Sequence, residues 1–167
     1  LGQIVLLRDS FKSPINSVRY INTGNATGTP TDVTELLSII TPQMPGSLSR
    51  SFEKEYMLGV YSLDTDEVFM IFKTKDFASS YSGMLEWEKT MVKDIGSLFE
   101  IDPNTASSTT FFDEEMQNKD IRALKENAGS KTILLYSFID RETLVITKSE
   151  RILSAIIGKY QISKQSR

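Results

Sequence analysis

Tyr136-Ser-Phe-Ile-Asp-Arg-Glu-Thr-Leu-Val-Ile-Thr-Lys-Ser-Glu-Arg-Ile-Leu-Ser-Ala-Ile-Ile-Gly-Lys-Tyr160 reads as strand, tight turn, strand and helix. The same pattern occurs 75 residues earlier, over Tyr61-Ser-Leu-Asp-Thr-Asp-Glu-Val-Phe-Met-Ile-Phe-Lys-Thr-Lys-Asp-Phe-Ala-Ser-Ser-Tyr-Ser-Gly-Met-Leu85. Without a gap, 7 of the 25 positions are identical: Tyr61/Tyr136, Ser62/Ser137, Glu67/Glu142, Ile71/Ile146, Lys73/Lys148, Ser79/Ser154 and Gly83/Gly158. Two copies at so long a period do not make a solenoid. They point to one domain over 1–167 with an internal duplication, about 55–99 and 118–160, joined by a polar linker at about 100–110.

Working outward, Ile4–Leu7 and Val18–Ile21 have the β-branched, apolar character of strands, and residues 22–30 form a loop by composition. The sequon at Asn25 in that loop is read as a chance match. Asp32 with Glu35 three places on is a capping-box start, and Val33, Leu36, Leu37 and Ile40 give the helix its apolar face. A short helical turn over 47–52 follows. Tyr56–Leu63 and Glu67–Lys73 then make the first hairpin. The uninterrupted Val68–Phe72 run predicts a strand covered on both faces or meeting a partner on one.

Thr74 or Asp76 caps a helix expected to run to about Phe99, with Phe77, Tyr81, Met84, Leu85, Met91, Val92, Ile95 and Leu98 on its apolar stripe and Trp87 near the stripe's edge. In the second half, Asp120–Lys125 is a strand, Asn127–Gly129 a turn and Lys131–Ile139 a strand. Asp140-Arg141 turns the chain into Glu142–Lys148, and Ser149 caps a helix to about Tyr160, followed by a frayed tail from Ser163. The fold class predicted is α+β: a largely antiparallel sheet with helices on one face, built from two repeated β-hairpin-plus-helix units.

Composition narrows the chemistry. The chain of 167 residues has neither cysteine nor histidine, which removes disulfides, thiolate nucleophiles, Ser-His-Asp triads and imidazole metal sites. A net charge of −3 offers no basic field for nucleic acid. No apolar run is long enough to span a bilayer. No cofactor and no metal are expected, and an enzyme built on carboxylates or lysine ranks behind a binding domain.

Each candidate motif has a plainer reading beside it. Asp64-Thr-Asp-Glu67 alternates oxygen ligands but lacks the glycine and distal glutamate of a calcium loop, so a hairpin turn explains it better. Gly129-Ser-Lys-Thr132 lacks the upstream glycine of a phosphate loop and precedes a strand. Ser51-Phe-Glu-Lys54 has the spacing of a serine–lysine acyl-transfer pair without its companion motifs. Asp113-Glu-Glu115 with Asp120 offers paired carboxylates or a cation site, against the commoner solvated edge. Tyr61 and Tyr136 occupy matching positions where they would line a cleft between the copies, whereas such tyrosines more often simply pack. With Trp87 they are the candidate cleft or partner contacts.

The runs Asn118-Lys-Asp-Ile-Arg-Ala-Leu124, Leu134-Leu-Tyr-Ser-Phe-Ile-Asp140 and Thr143-Leu-Val-Ile-Thr147, with Tyr56-Met-Leu-Gly-Val60 and Gly83-Met-Leu-Glu-Trp-Glu88, resemble an uncharacterised family of predicted single-pass membrane proteins from bacteria with reduced genomes. The resemblance spans about 55–160 and carries no known activity. It implies an anchor upstream of Leu1, contact with membrane only through that segment, and an extracytoplasmic location, with a cytoplasmic one as the alternative. The expected role is non-enzymatic: a domain of an envelope protein that binds a protein partner or itself, with no nucleic acid. The second expectation is a small-ligand sensor with a cleft between the repeats.

Overall fold

The computed structural model describes residues 14–21, 23, 31–102, 110–126 and 131–165. The expected strand at Ile4–Leu7, the sequon at Asn25, the Asn127–Gly129 turn and most of the polar linker lie outside them. In chain order the elements are β1 (Ser17–Tyr20), α1 (Val33–Ile40), α2 (Gly46–Ser51), β2 (Phe52–Ser62), β3 (Asp66–Thr74), α3 (Phe77–Trp87), α4 (Met91–Ile95), a 3-10 turn (Gly96–Phe99), β4 (Phe111–Met116), β5 (Lys119–Glu126), β6 (Lys131–Asp140), β7 (Thr143–Thr147) and α5 (Glu150–Gln165). The seven strands form one antiparallel sheet in the order β1-β2-β3-β7-β6-β5-β4. The α+β class expected from the sequence is what the chain adopts.

The β3–β7 ladder joins the two sequence-matched segments, with Met70 opposite Ile146 and Ile71 opposite Val145. Alternation along the strands then sorts side chains onto two faces. Leu58, Val60, Val68, Met70, Phe72, Leu134, Tyr136, Leu144 and Ile146 bury against α1, α2, α3, α4 and the 3-10 turn. Tyr61, Phe69, Leu135, Val145 and Ile139 bury against α5, through Ile152, Leu153, Ile156 and Ile157.

Helices therefore lie on both faces of the sheet, not on one as the sequence pattern suggested. The physical reason is visible in β3 and β7, which are apolar at every consecutive position from Val68 to Phe72 and from Leu144 to Ile146. A single helical layer would leave Phe69 and Val145 in water, at a cost of about 2 kcal/mol per large side chain.

Two further differences matter for the site. The helix expected from Phe77 to Phe99 breaks at Glu88–Thr90, so α3 and α4 are separate and α5 is the longest helix described. At the break the Thr90 amide donates to the Trp87 carbonyl (2.9 Å) and the Trp87 indole donates to Asp94 (2.8 Å). Trp87 is fully buried rather than at the edge of a stripe. The cap of α3 is Asp76, which accepts from the Ser79 amide, while Thr74 stays in β3 and donates its hydroxyl to the Arg141 carbonyl. By contrast Asp32 and Ser149 cap as expected, receiving the Glu35 and Ile152 amides.

Candidate functional site

Among the described residues, the α5 face of the sheet is only partly covered. α5 packs over β5, β6 and β7, and beside it the same face of β1, β2 and β3 remains as the floor of a trough. Val18, Met57, Phe69 and Ile71 form the floor, and Ile156 and Tyr160 form the helical wall. Its volume is about 380 Å³, within the range of small-molecule sites. On its outer rim Tyr20 and Met57 are 63% and 38% exposed, a large apolar display for strand residues. Gly59 shapes the floor: a Cβ there would sit 2.6 Å from the Phe69 ring, so the bare backbone lets that ring lie flat.

Two ammonium groups border the trough. Lys73 Nζ donates to the Thr143 hydroxyl (2.7 Å) and lies 5.5 Å from the Tyr160 ring centroid. Lys159 Nζ lies 5.8 Å from the centroid of Tyr61. Among the described residues neither has a carboxylate partner. Lys164, one turn on, is different, since Asp140 takes both its ammonium (2.9 Å) and the Tyr160 hydroxyl. Burial pushes the Asp140 carboxyl up, but the hydrogen bonds from Tyr160, Lys164, the Glu142 amide and Thr143 outweigh it and hold the group well below the usual carboxylate range.

Tyr61 and Tyr136 are not brought together. Tyr61 lies on the trough side and donates to the Asn16 side chain (2.9 Å). Tyr136 points into the opposite core and donates to Glu88 Oε1 (2.7 Å). Glu88 follows α3 directly and also receives both arms of the Arg122 fork, Nε and Nη2, at 2.8 Å each. Arg122 Nη1 reaches Asp113 (2.8 Å). The Glu88 carboxylate raises the Arg122 pKa, and burial followed by the Glu88 contact raises that of Tyr136. Each nitrogen of the Arg122 guanidinium and the Tyr136 hydroxyl has a carboxylate partner, so the cluster ties the end of α3 to β5 and β6. Trp87, one residue away, is enclosed in the same core.

The other motifs resolve locally. Asp64 is ion-paired with Arg151 and Asp66 receives the Ser62 hydroxyl, as in an ordinary hairpin. Ser51 is buried at the end of α2, bonded to Leu48 and Ser80, whereas Lys54 is exposed on β2 in extended chain, so no helical turn brings them together. Of the Gly129–Thr132 motif only Lys131 and Thr132 are described, both in β6. Asp113, Glu114 and Glu115 belong to β4, a strand the sequence reading took for a solvated edge. Asp113 stands opposite Arg122, Glu114 pairs with Lys125, and Glu115 stands opposite Asp120. Among the described residues no group of three or more acids is placed to hold a metal, and no helix is long and apolar enough to cross a membrane.

Sequence reasoning missed the trough. Its signal was Lys73 at the end of an apolar strand, with Lys159-Tyr160 at the end of the second helix. Comparison with known proteins returned no match: no family model, no curated protein and no solved structure is significantly similar to this chain.

Proposed function

We propose that this chain is a non-catalytic binding domain whose working surface is the trough between α5 and the open face of β1–β3. The observation that carries this reading is the incomplete cover, among the described residues, of one apolar sheet face. The opposite face is buried under four helices and a 3-10 turn, while Tyr20 and Met57 remain exposed beside a slot of about 380 Å³. Of the slot's lining, Phe69 and Ile71 come from the first sequence-matched segment and Ile156 and Tyr160 from the second, while Val18 and Met57 lie outside both. A slot of that size beside a helix favours a small ligand over a flat protein contact.

A saturating hydrophobic dye such as bis-anilinonaphthalene sulfonate tests this. Wild-type chain should bind it in native buffer, and Ile71→Trp, which fills the floor, should abolish the signal without lowering the melting temperature by more than a few degrees. Dye binding untouched by the filled floor would contradict the reading.

The exposed rim also suits a protein partner or a second copy, in keeping with an envelope assembly anchored upstream of Leu1 on the extracytoplasmic side. Fractionation of cells with protease added from outside tests the location: a soluble, protected protein would overturn it and favour the cytoplasm. We also read the two segments as a duplication in sequence, on the 7 identities in 25 positions and the shared order strand, turn, strand, helix, with the helix crossing to opposite faces of the sheet in the two segments.

A further inference from the structure

We propose that the trough binds a single acyl chain ending in a carboxylate, with Lys73 as the head-group partner; this rests on the binding reading above. The floor and wall are apolar side chains on a sheet face where the β2–β3 and β3–β7 ladder bonds are already made. Among the described residues only the outer edge of β1 on that side has no strand beside it, so a peptide laid on the floor itself finds no backbone partner. A bare peptide strand laid there would bury its own amides unsatisfied. A helix would satisfy its amides, but at about 10 Å across it fills about 400 Å³ in one turn, the whole of the space. A methylene chain has neither difficulty.

The polar end of the ligand is set by charge. Lys73 is half-buried and held by Thr143, and it has no carboxylate among the described residues. Its match in the second segment, Lys148, has one in Glu100 (2.5 Å). Of the acids around Lys73, Asp140 is already taken by Lys164 and Tyr160, while Glu53, Glu55 and Glu142 line a cleft on its other side without forming an ion pair with it. A single ammonium suits a monoanionic carboxylate, whereas a phosphate calls for a fork or several donors. Lys159 at the Tyr61 side adds to the positive field without a fixed contact.

Isothermal titration of the full chain with dodecanoate, dodecanol and dodecyltrimethylammonium, each below its micellar concentration, tests the assignment. Dodecanoate should bind once per chain, dodecanol about tenfold more weakly, and the cation not at all. Lys73→Met, which keeps the aliphatic stem, should weaken dodecanoate about tenfold and leave dodecanol unchanged. Equal affinity for dodecanoate and dodecanol, or no effect of Lys73→Met, would overturn the head-group assignment. No binding of any amphiphile, with dye binding still sensitive to Ile71→Trp, would overturn the acyl ligand and leave the trough as a site for something else. Loss of both would sink the binding reading too. A dimer in sedimentation equilibrium that Met57→Glu dissociates would identify the occupant as a second copy and overturn the proposal.

Discussion

Tyr61 and Tyr136, which match across the 75-residue offset, project from opposite faces of one sheet. The cause is parity. Across the β3–β7 ladder Phe69 stands opposite Thr147, while the residue matching Phe69 in sequence is Leu144, three places away. Side chains alternate along a strand, so an odd displacement reverses the face. Matching residues therefore face different environments, and α3 and α5 leave the sheet on opposite sides. The trough is a consequence: among the described residues one side receives α1 to α4 and the other only α5.

Gly83 and Gly158 make this measurable, because they match in sequence but not in surroundings. A Cβ on Gly83 would come within 2.7 Å of Leu48 Cβ and 3.1 Å of its Cα, where α3 lies against α2. A Cβ on Gly158 would meet nothing within 4 Å. Gly83→Ala should cost about 1–3 kcal/mol through overpacking, and Gly158→Ala should gain about 0.5–1 kcal/mol from helix propensity. Urea unfolding of the two variants checks both signs.

Glu88 should be the most sensitive polar position described. Glu88→Gln removes the charge that the Arg122 fork and Tyr136 share, leaving a largely buried guanidinium short of its counter-ion. The expected loss is about 2–3 kcal/mol. For a chain of this size that lowers the melting temperature by roughly 5–10 °C. A change under about 2 °C would show that Arg122 finds other partners.

Much of the fold was legible because it is written locally. The Asp32 cap and the Val33, Leu36, Leu37, Ile40 face are set within a dozen residues, as are both hairpins. The break at Glu88–Thr90 was not legible, since α3 and α4 bury against the same core and keep Met84, Met91, Val92 and Ile95 in apparent register. β4 escaped because two of its acids, Asp113 and Glu114, are neutralised by Arg122 and Lys125, residues on the next strand. The trough was hidden for a related reason. It depends on which side each helix crosses, and Lys73 shows no character until Thr143 and Tyr160 are beside it.

Asp140 gives the chain an acid-sensitive point. Its folded pKa lies below the ordinary value near 3.9, so its contribution is complete above about pH 4 and is lost as pH falls toward the folded value. Asp140→Asn should lower stability at pH 7 by about 1 kcal/mol, allowing for solvent screening of a partly buried group. The gap from wild type should narrow steadily below pH 4. Thermal melts from pH 7 to pH 2 read this directly, and a gap that widened in acid would contradict it.

The β4–β5 hairpin turns through Gln117 and Asn118, both left-handed at φ 53° and 58°. This is the backbone of a two-residue hairpin loop that asparagine and glycine tolerate. Asn118→Gly should be neutral within a few tenths of a kcal/mol, and Asn118→Val should cost about 1–2 kcal/mol. Equal stabilities by chemical denaturation would mean that the turn changes type.

The most direct test of the trough is methyl-resolved NMR of the full chain during titration with dodecanoate. The signals of Val18, Met57, Ile71 and Ile156 should move together and saturate at one equivalent, while Leu48 and Met84 on the opposite face stay in place. Shifts centred on the α1–α4 face, or none at all, would contradict the assignment of the α5 face as the working surface.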